Sequence, residues 1–260
     1  MNRRQFLSRS AVGVTVLTVQ LKPAFAAIPA PTGVRVHLDS ASHGVMVCDD
    51  SGRELWRLQG LGANPGQLNF PCASCVDSQG RVYIVDLGNH RVQLFNREGR
   101  FLHELRQGDG VRLMYPRDVT VDSRGHVYVC DAGNHRVCVF DATGRFLHDF
   151  GGLGSRPGNL NSPRSAVIAS DGSIYVADSG NARVVVFSAQ GRFLRQIGGS
   201  APSDGGFRYP CRVALSEHGQ LVVEDRVAAT VVSFRPDGQL AERRTLQVSL
   251  PPYRAGSERA

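Results

Sequence analysis

The sequence predicts an all-β fold in which four-stranded antiparallel sheets repeat about a common axis. Three observations predict it. The stretch Tyr115–Gly152 holds four short apolar or alternating runs between turn-rich segments, and no 3.6-residue period survives in it. The same unit recurs along the chain, its opening proline standing at Pro71, Pro116, Pro163 and Pro210, spaced 45, 47 and 47 residues apart. A sheet with two apolar faces cannot bury both alone, but several set side by side can. Units of about 40–50 residues of this kind build a β-propeller.

Within the best-formed unit each element has a local cause. Pro116 opens the first run through Val119 and Val121, which ends in the turn Asp122-Ser-Arg-Gly125. The second run, His126–Cys130 (HVYVC), is β-branched and aromatic, as strands prefer. Asp131-Ala-Gly-Asn134 turns the chain into Arg136–Phe140 (RVCVF), and Asp141-Ala-Thr-Gly144 precedes the last run, Arg145–Phe150. The columns hold register through four copies: Asp86, Asp131, Asp178 and Asp225; Phe95, Phe140, Phe187 and Phe234; Gly99, Gly144, Gly191 and Gly238. A partial copy precedes them, with Val34–Asp39 matching the second strand and Val45–Cys48 the third, but no opening proline run. Five units predict five blades, with an open ring or a sixth position completed by a partner as the rival arrangement. Gln247–Leu250 or the segment after Ile28 is expected to supply the missing inner strand of the first blade.

The segments GNHRV at Gly88–Val92 and Gly133–Val137, GNARV at Gly180–Val184, and the flanking VYIVD, VYVCD and IYVAD resemble the Asn-His-Leu motif of NHL repeats. The resemblance covers about residues 34–246 and implies the propeller. It implies no single activity, because that family hosts enzymes, RNA binders and protein-interaction modules. Two departures stand out: the last unit reads Val227-Ala-Ala-Thr230 in place of GNHR, and the family commonly builds six blades.

Residues 1–27 read as an export signal outside the fold. Asn2-Arg3-Arg4-Gln5-Phe6-Leu7 resembles the twin-arginine motif, Ala11–Leu21 is a modest apolar run too short for a membrane span, and Ala24-Phe25-Ala26 is a cleavage site. Export to the periplasm or secretion is therefore expected. The propeller is expected over 28–250, with a polar C-terminal tail at 251–260. The formal charge of +7 falls to about 7 − 4 = +3 without Arg3, Arg4, Arg9 and Lys22 of the leader. A mildly basic surface of this kind does not call for nucleic acid.

Candidate sites divide into two kinds. Asp86 with Arg91, Asp131 with Arg136 and Asp178 with Arg183, together with the turn asparagines Asn89, Asn134 and Asn181, recur in successive blades. A catalytic pair would not be duplicated in each, so these read as structural, the aspartate accepting from the turn and the arginine pairing with it or with a neighbouring blade. His43, His90 and His135 lie in the same turns and read as exposed repeat consensus; His103 and His148 fall in outer strands and read as surface. The position after the opening proline differs, holding Cys72, Arg117, Arg164 and Cys211 at the mouth of the channel, with Arg212 beside them. These are the ligand-binding candidates. Converging arginines can hold a carboxylate or phosphate; the plainer reading pairs them with Asp118 and other nearby carboxylates. Peptidylglycine amidating lyases resemble this architecture and hold a metal with channel histidines. None of the four positions is histidine, so no metal site carries over to them.

The cysteines read as packing residues. A Cys72–Cys211 disulfide is disfavoured because the two belong to nonadjacent units and a bridge needs Cα atoms within about 7 Å. Cys72-Ala-Ser-Cys75 lies on a strand with no second CxxC. Cys130 and Cys138 flank a turn, where either a facing pair across two strands or simple burial fits, burial being preferred. The functional expectation is a binding or scaffold propeller whose loop face takes a protein or a small anionic ligand, without cofactor, nucleic acid or membrane span. The alternative is a hydrolase or lyase, lactonase-like or amidating-lyase-like, which would need calcium or zinc.

Overall fold

The structure, a computed structural model, describes residues 33–105, 107–108, 111–199 and 206–246. Five antiparallel sheets stand in a ring as the blades of a propeller. The second to fifth blades each have four strands in simple meander order. Their inner strands are Pro71–Val76, Pro116–Val121, Pro163–Ile168 and Pro210–Leu215, so each opens on the repeated proline. The first blade has three described strands, Val34–Asp39, Gly44–Asp49 and Glu54–Leu58. Its missing inner strand and both segments expected to supply it lie outside the described residues, as do the leader at 1–27 and the tail at 251–260. Among the described residues no helix is long and apolar enough to cross a membrane.

The second and third strands of the second to fourth blades are almost wholly buried, which explains their largely apolar character. Successive side chains point to opposite faces, and each face packs on a different neighbour. In the second blade Tyr83 and Val85 join a core with Val127 and Val129 of the third, while Val82 and Ile84 join a core with Val45 and Val47 of the first. Tyr128 and Cys130 of the third blade turn the other way, onto Ile174 and Val176 of the fourth. Ala177 and Val184 of the fourth then meet Val223 and Val232 of the fifth. Period-two alternation thus becomes a chain of interblade cores. At about 25 cal/mol per Å² of apolar area, these seams supply most of the folding drive.

The turn between the second and third strands is a single 3₁₀ turn in the middle blades, at Leu87–Asn89, Ala132–Asn134 and Ser179–Asn181. Glycine is required in it by close approach. A Cβ at Gly133 would stand 2.6 Å from the Met114 carbonyl oxygen, which accepts the Gly133 N–H at 2.8 Å. The next residue, His90, His135 or Ala182, is left-handed, and it returns the chain into the third strand. These turns and the long connectors that lead into the inner strands share one end of the ring, called here the loop face. Matching bonds run from Gly88 to Asn69 and from Gly180 to Asn161.

Candidate functional site

The repeated aspartates are the anchors beneath the loop face. Asp86, Asp131, Asp178 and Asp225 close the second strand and are fully buried. In the second blade Asp86 accepts the Asn69 N–H (2.7 Å), the Asn89 amide (2.9 Å) and Arg91 Nε (2.7 Å). Arg91, itself buried, spends its remaining donors on Glu104 and on the Asn64 and Gln67 carbonyls. Asp178 repeats this with Asn161 N–H, Asn181 and Arg183, whose other donors reach Gln196 and the carbonyls of Ser155, Arg156 and Asn159. Burial still lifts the Asp178 carboxyl above the usual carboxylate range against those bonds. In the third blade Asp131 holds Met114 N–H, Asn134 and Arg136, and Arg136 also pairs with the half-exposed Asp149. Aspartate and arginine are cross-strand partners in the second, third and fourth blades, so pairing follows from register. The fifth blade keeps Asp225 and loses the arginine. Thr230 takes the cross-strand place, and the carboxylate accepts four backbone N–H groups, from Arg208, Tyr209, Val227 and Ala228.

The turn histidines do more than fill an exposed consensus. His43 Nδ1 accepts the N–H of Phe70 in the next blade, His90 that of Tyr115, and His135 that of Ser162, each at 3.0 Å. Each is therefore a clasp between blades, and as an acceptor at Nδ1 the ring carries its proton on Nε2. The clasped residues, each just before the proline, are left-handed with φ of 54°, 48° and 53°. Bulky residues avoid that region, so the clasp holds an unfavourable backbone in place. In the fourth blade Ala182 has no acceptor, and Asp225 takes the Tyr209 N–H instead.

Cys72, Arg117, Arg164 and Cys211 are each the extra residue of a β-bulge that follows the opening proline. Pairing with the second strand jumps from Pro116 to Asp118, and likewise at the other three sites. A bulge re-aims its side chain, and here it does so at the loop-face end of the innermost strands. Arg117 and Arg164 occupy the same bulge position on adjacent blades. Burial first, and then the Arg164 charge, bring the Arg117 guanidinium below its usual range, with Arg226 adding to the effect. Arg164 lies over the Tyr209 ring at 5.0 Å, and its buried Nε–H has no partner. Among the described residues neither arginine makes an ion pair, and Arg226 makes none from the turn of the fifth blade. Asp118 is not their counter-ion. It accepts Val119 and Ala166 N–H and bonds to Ser165, and burial raises its carboxyl above the usual range.

Arg212 stands one place past the bulge, in register with Asp118 and Ser165. Those two side chains reach the next inner strand at Ala166 and Val213, whereas Arg212 is exposed. The flanking thiols are protonated: burial pushes Cys72 up to about 12 and Cys211 up to about 11. Cys72 Sγ lies 3.8 and 3.7 Å from the Pro116 and Arg117 carbonyl oxygens. All six cysteines are free. Cys130 and Cys138 do not face one another: Cys130 packs between the third and fourth blades, Cys138 between the second and third. Neighbouring cross-strand positions on opposite faces cannot bridge. His103 and His148, expected on the surface, are half-buried, and His103 Nε2 lies within 2.5 Å of where a Cβ on Gly144 of the next blade would stand. Among the described residues no group of three or more His, Cys, Asp or Glu is placed to hold a metal ion.

Sequence reasoning singled out the position after the proline but not Tyr209, which precedes Pro210 in the place that Phe70 and Tyr115 hold in their blades, nor Arg226, which belongs to no repeated column. The bulge itself was invisible, since a bulge changes pairing without changing spacing.

Three segments, 75–95, 113–140 and 160–187, match the family model of the NHL repeat. Mouse E3 ubiquitin-protein ligase TRIM32 is 32% identical over 101 residues, 38% of this chain and 15% of that protein. Protein lin-41 of Caenorhabditis elegans is 44% identical over 41 residues, 16% of this chain and 4% of that one. The chain thus spans a small fraction of these relatives' lengths. Among solved structures, a streptogramin B lyase superposes with a TM-score of 0.64 at 15% identity, covering 84% of this chain and 66% of the lyase. Staphylococcus aureus virginiamycin B lyase gives 0.63 at 11% identity, covering 83% and 67%. At such identities the likeness is one of fold. The chain is a five-bladed β-propeller carrying NHL repeats.

Proposed function

We propose that this propeller is a binding module, exported through its twin-arginine leader, that holds an oxyanion-bearing ligand at the mouth of its channel. One observation carries the reading: Arg117 and Arg164 stand near one another at bulges and, among the described residues, have no acidic partner, while Arg164 keeps a buried N–H unused. Two cations side by side repel, and an anion between them would relieve both the repulsion and the unmet donor. The thiols on either side leave room and add no charge. NHL-repeat relatives such as TRIM32 support a binding role in kind, and the structurally similar lyases support only the scaffold.

The test is calorimetric titration of the purified protein with inorganic phosphate and with succinate. Saturable binding is expected, and Arg117→Ala with Arg164→Ala should abolish it at an unchanged melting temperature. Binding retained in that double variant sinks the proposal. Stoichiometric calcium or zinc in natively purified protein would favour the lyase alternative instead. Export is checked by fractionating cells that express the full chain, where Arg3→Lys with Arg4→Lys should retain the protein in the cytoplasm.

A further inference from the structure

Two large aromatic side chains near the arginine positions stay open to solvent on one side. Phe70 and Tyr115 are about half exposed, 53% and 48%, although both are large and both are left-handed. Each stands two residues before a bulge position, Cys72 or Arg117, so the two lie at the loop-face end of adjacent inner strands. Asparagine or glycine would adopt that backbone with far less strain. The clasps hold the rings as well as the backbone: His43 meets the Phe70 ring edge-on at 4.7 Å and His90 meets the Tyr115 ring at 4.4 Å. Met114, Leu61, Leu153 and Val227 add exposed apolar surface on loops of the same face.

We infer, resting on the anion-site reading above, that the natural ligand is an extended acidic polypeptide segment. Its carboxylates sit on Arg117 and Arg164, and its apolar side chains lie on Phe70 and Tyr115. A small anion would use the arginines and leave the strained rings idle. A nucleic acid strand wants cations spread along its backbone. Here the arginines that lack an ion pair among the described residues gather near one another, in a chain that carries only about +3 beyond its leader (7 − 4). An acidic, partly apolar peptide complements both the charge and the rim. Rings already locked by histidine lose little freedom on binding, which favours affinity.

The experiment is fluorescence anisotropy with a labelled twelve-residue peptide alternating Glu and Leu, beside the same peptide with Gln for Glu, and phosphate titration in parallel. The variant Phe70→Asn with Tyr115→Asn tolerates the left-handed backbone, and its thermal melt checks the fold. The Glu peptide should bind at least tenfold more tightly than the Gln peptide. It should lose at least tenfold in the Asn double variant while phosphate binding stays unchanged. His90→Ala should weaken the peptide severalfold and spare phosphate, a split that loss of fold would not produce. Peptide affinity indifferent to the Asn substitutions overturns the inference. Phosphate binding without peptide binding also overturns it but leaves the anion site standing, and failure of both ligands removes the two readings together. Tighter binding of a single-stranded RNA that displaces the peptide would likewise overturn it.

Discussion

Arg91 and Arg183 share their residue type with Arg117 and Arg164, and both pairs recur on the same blade scaffold, yet the structure treats them in opposite ways. The first two are buried with their donors matched to an aspartate, a further side chain and main-chain carbonyls. The second two stand near one another at bulges, with no carboxylate partner among the described residues and one N–H unmet there. The difference begins in backbone geometry. Regular cross-strand register puts Arg91 and Arg183 opposite their aspartates, and a bulge turns Arg117 and Arg164 away from the ladder. Identical chemistry is structural in one place and available in the other.

The comparison breaks most sharply by mutation. Arg91→Ala leaves Asp86 buried with its charge unpaired, which costs about 3–5 kcal/mol when one partner of a buried pair is lost. At about 2–4 °C per kcal/mol for a domain of this size, its calorimetric melting temperature should fall by roughly 10 °C. Arg117→Ala should leave melting within a degree or two, since it removes a repulsion and breaks no ion pair. Equal destabilisation by the two variants would erase the distinction.

Asp131→Ala tests an intermediate case. Asp131 is buried, but its arginine is partly exposed and also held by Asp149. The loss should be about 1–3 kcal/mol, smaller than for Arg91→Ala, and urea unfolding would show it as a shift in midpoint. His135→Ala removes one interblade acceptor and should cost about 1 kcal/mol. The natural alanine at position 182 shows that the clasp can be absent when Asp225 covers the amide. An unchanged unfolding midpoint would demote the clasp to a passive contact.

The smallest effect lies in the fifth blade, where Asp225 is satisfied by backbone alone. There Thr230, standing in for the arginine, buries a hydroxyl with no partner among the described residues. Thr230→Val keeps the shape and removes that group, so a gain of about 0.5–1 kcal/mol is expected. A loss on substitution would mean the hydroxyl has a partner in solution.

Much of this was legible in the chain itself. Proline, aspartate, phenylalanine and glycine columns at 45–47 residue spacing specified the blades, and the starts of the inner strands fall on the repeated prolines. The repeated Asp and Arg could be read as partners because a column names residues that meet in every unit. Contacts between blades were not legible: Tyr209 beneath Arg164 and Arg226 near Arg117 come from separate segments brought together only by the ring. The histidines were seen as turn residues, but their acceptors' partners lie 25–27 residues downstream in another blade.

By itself, then, the sequence determined that sheets would form and repeat, because strand period, turn chemistry and burial are local properties that recur at fixed intervals. Which face each cysteine occupies, where the arginines aim and what the histidines hold were decided only in the assembled ring. Those outcomes depend on register, on bulges and on contacts between neighbouring blades, and none of these leaves a mark on one blade's residues alone.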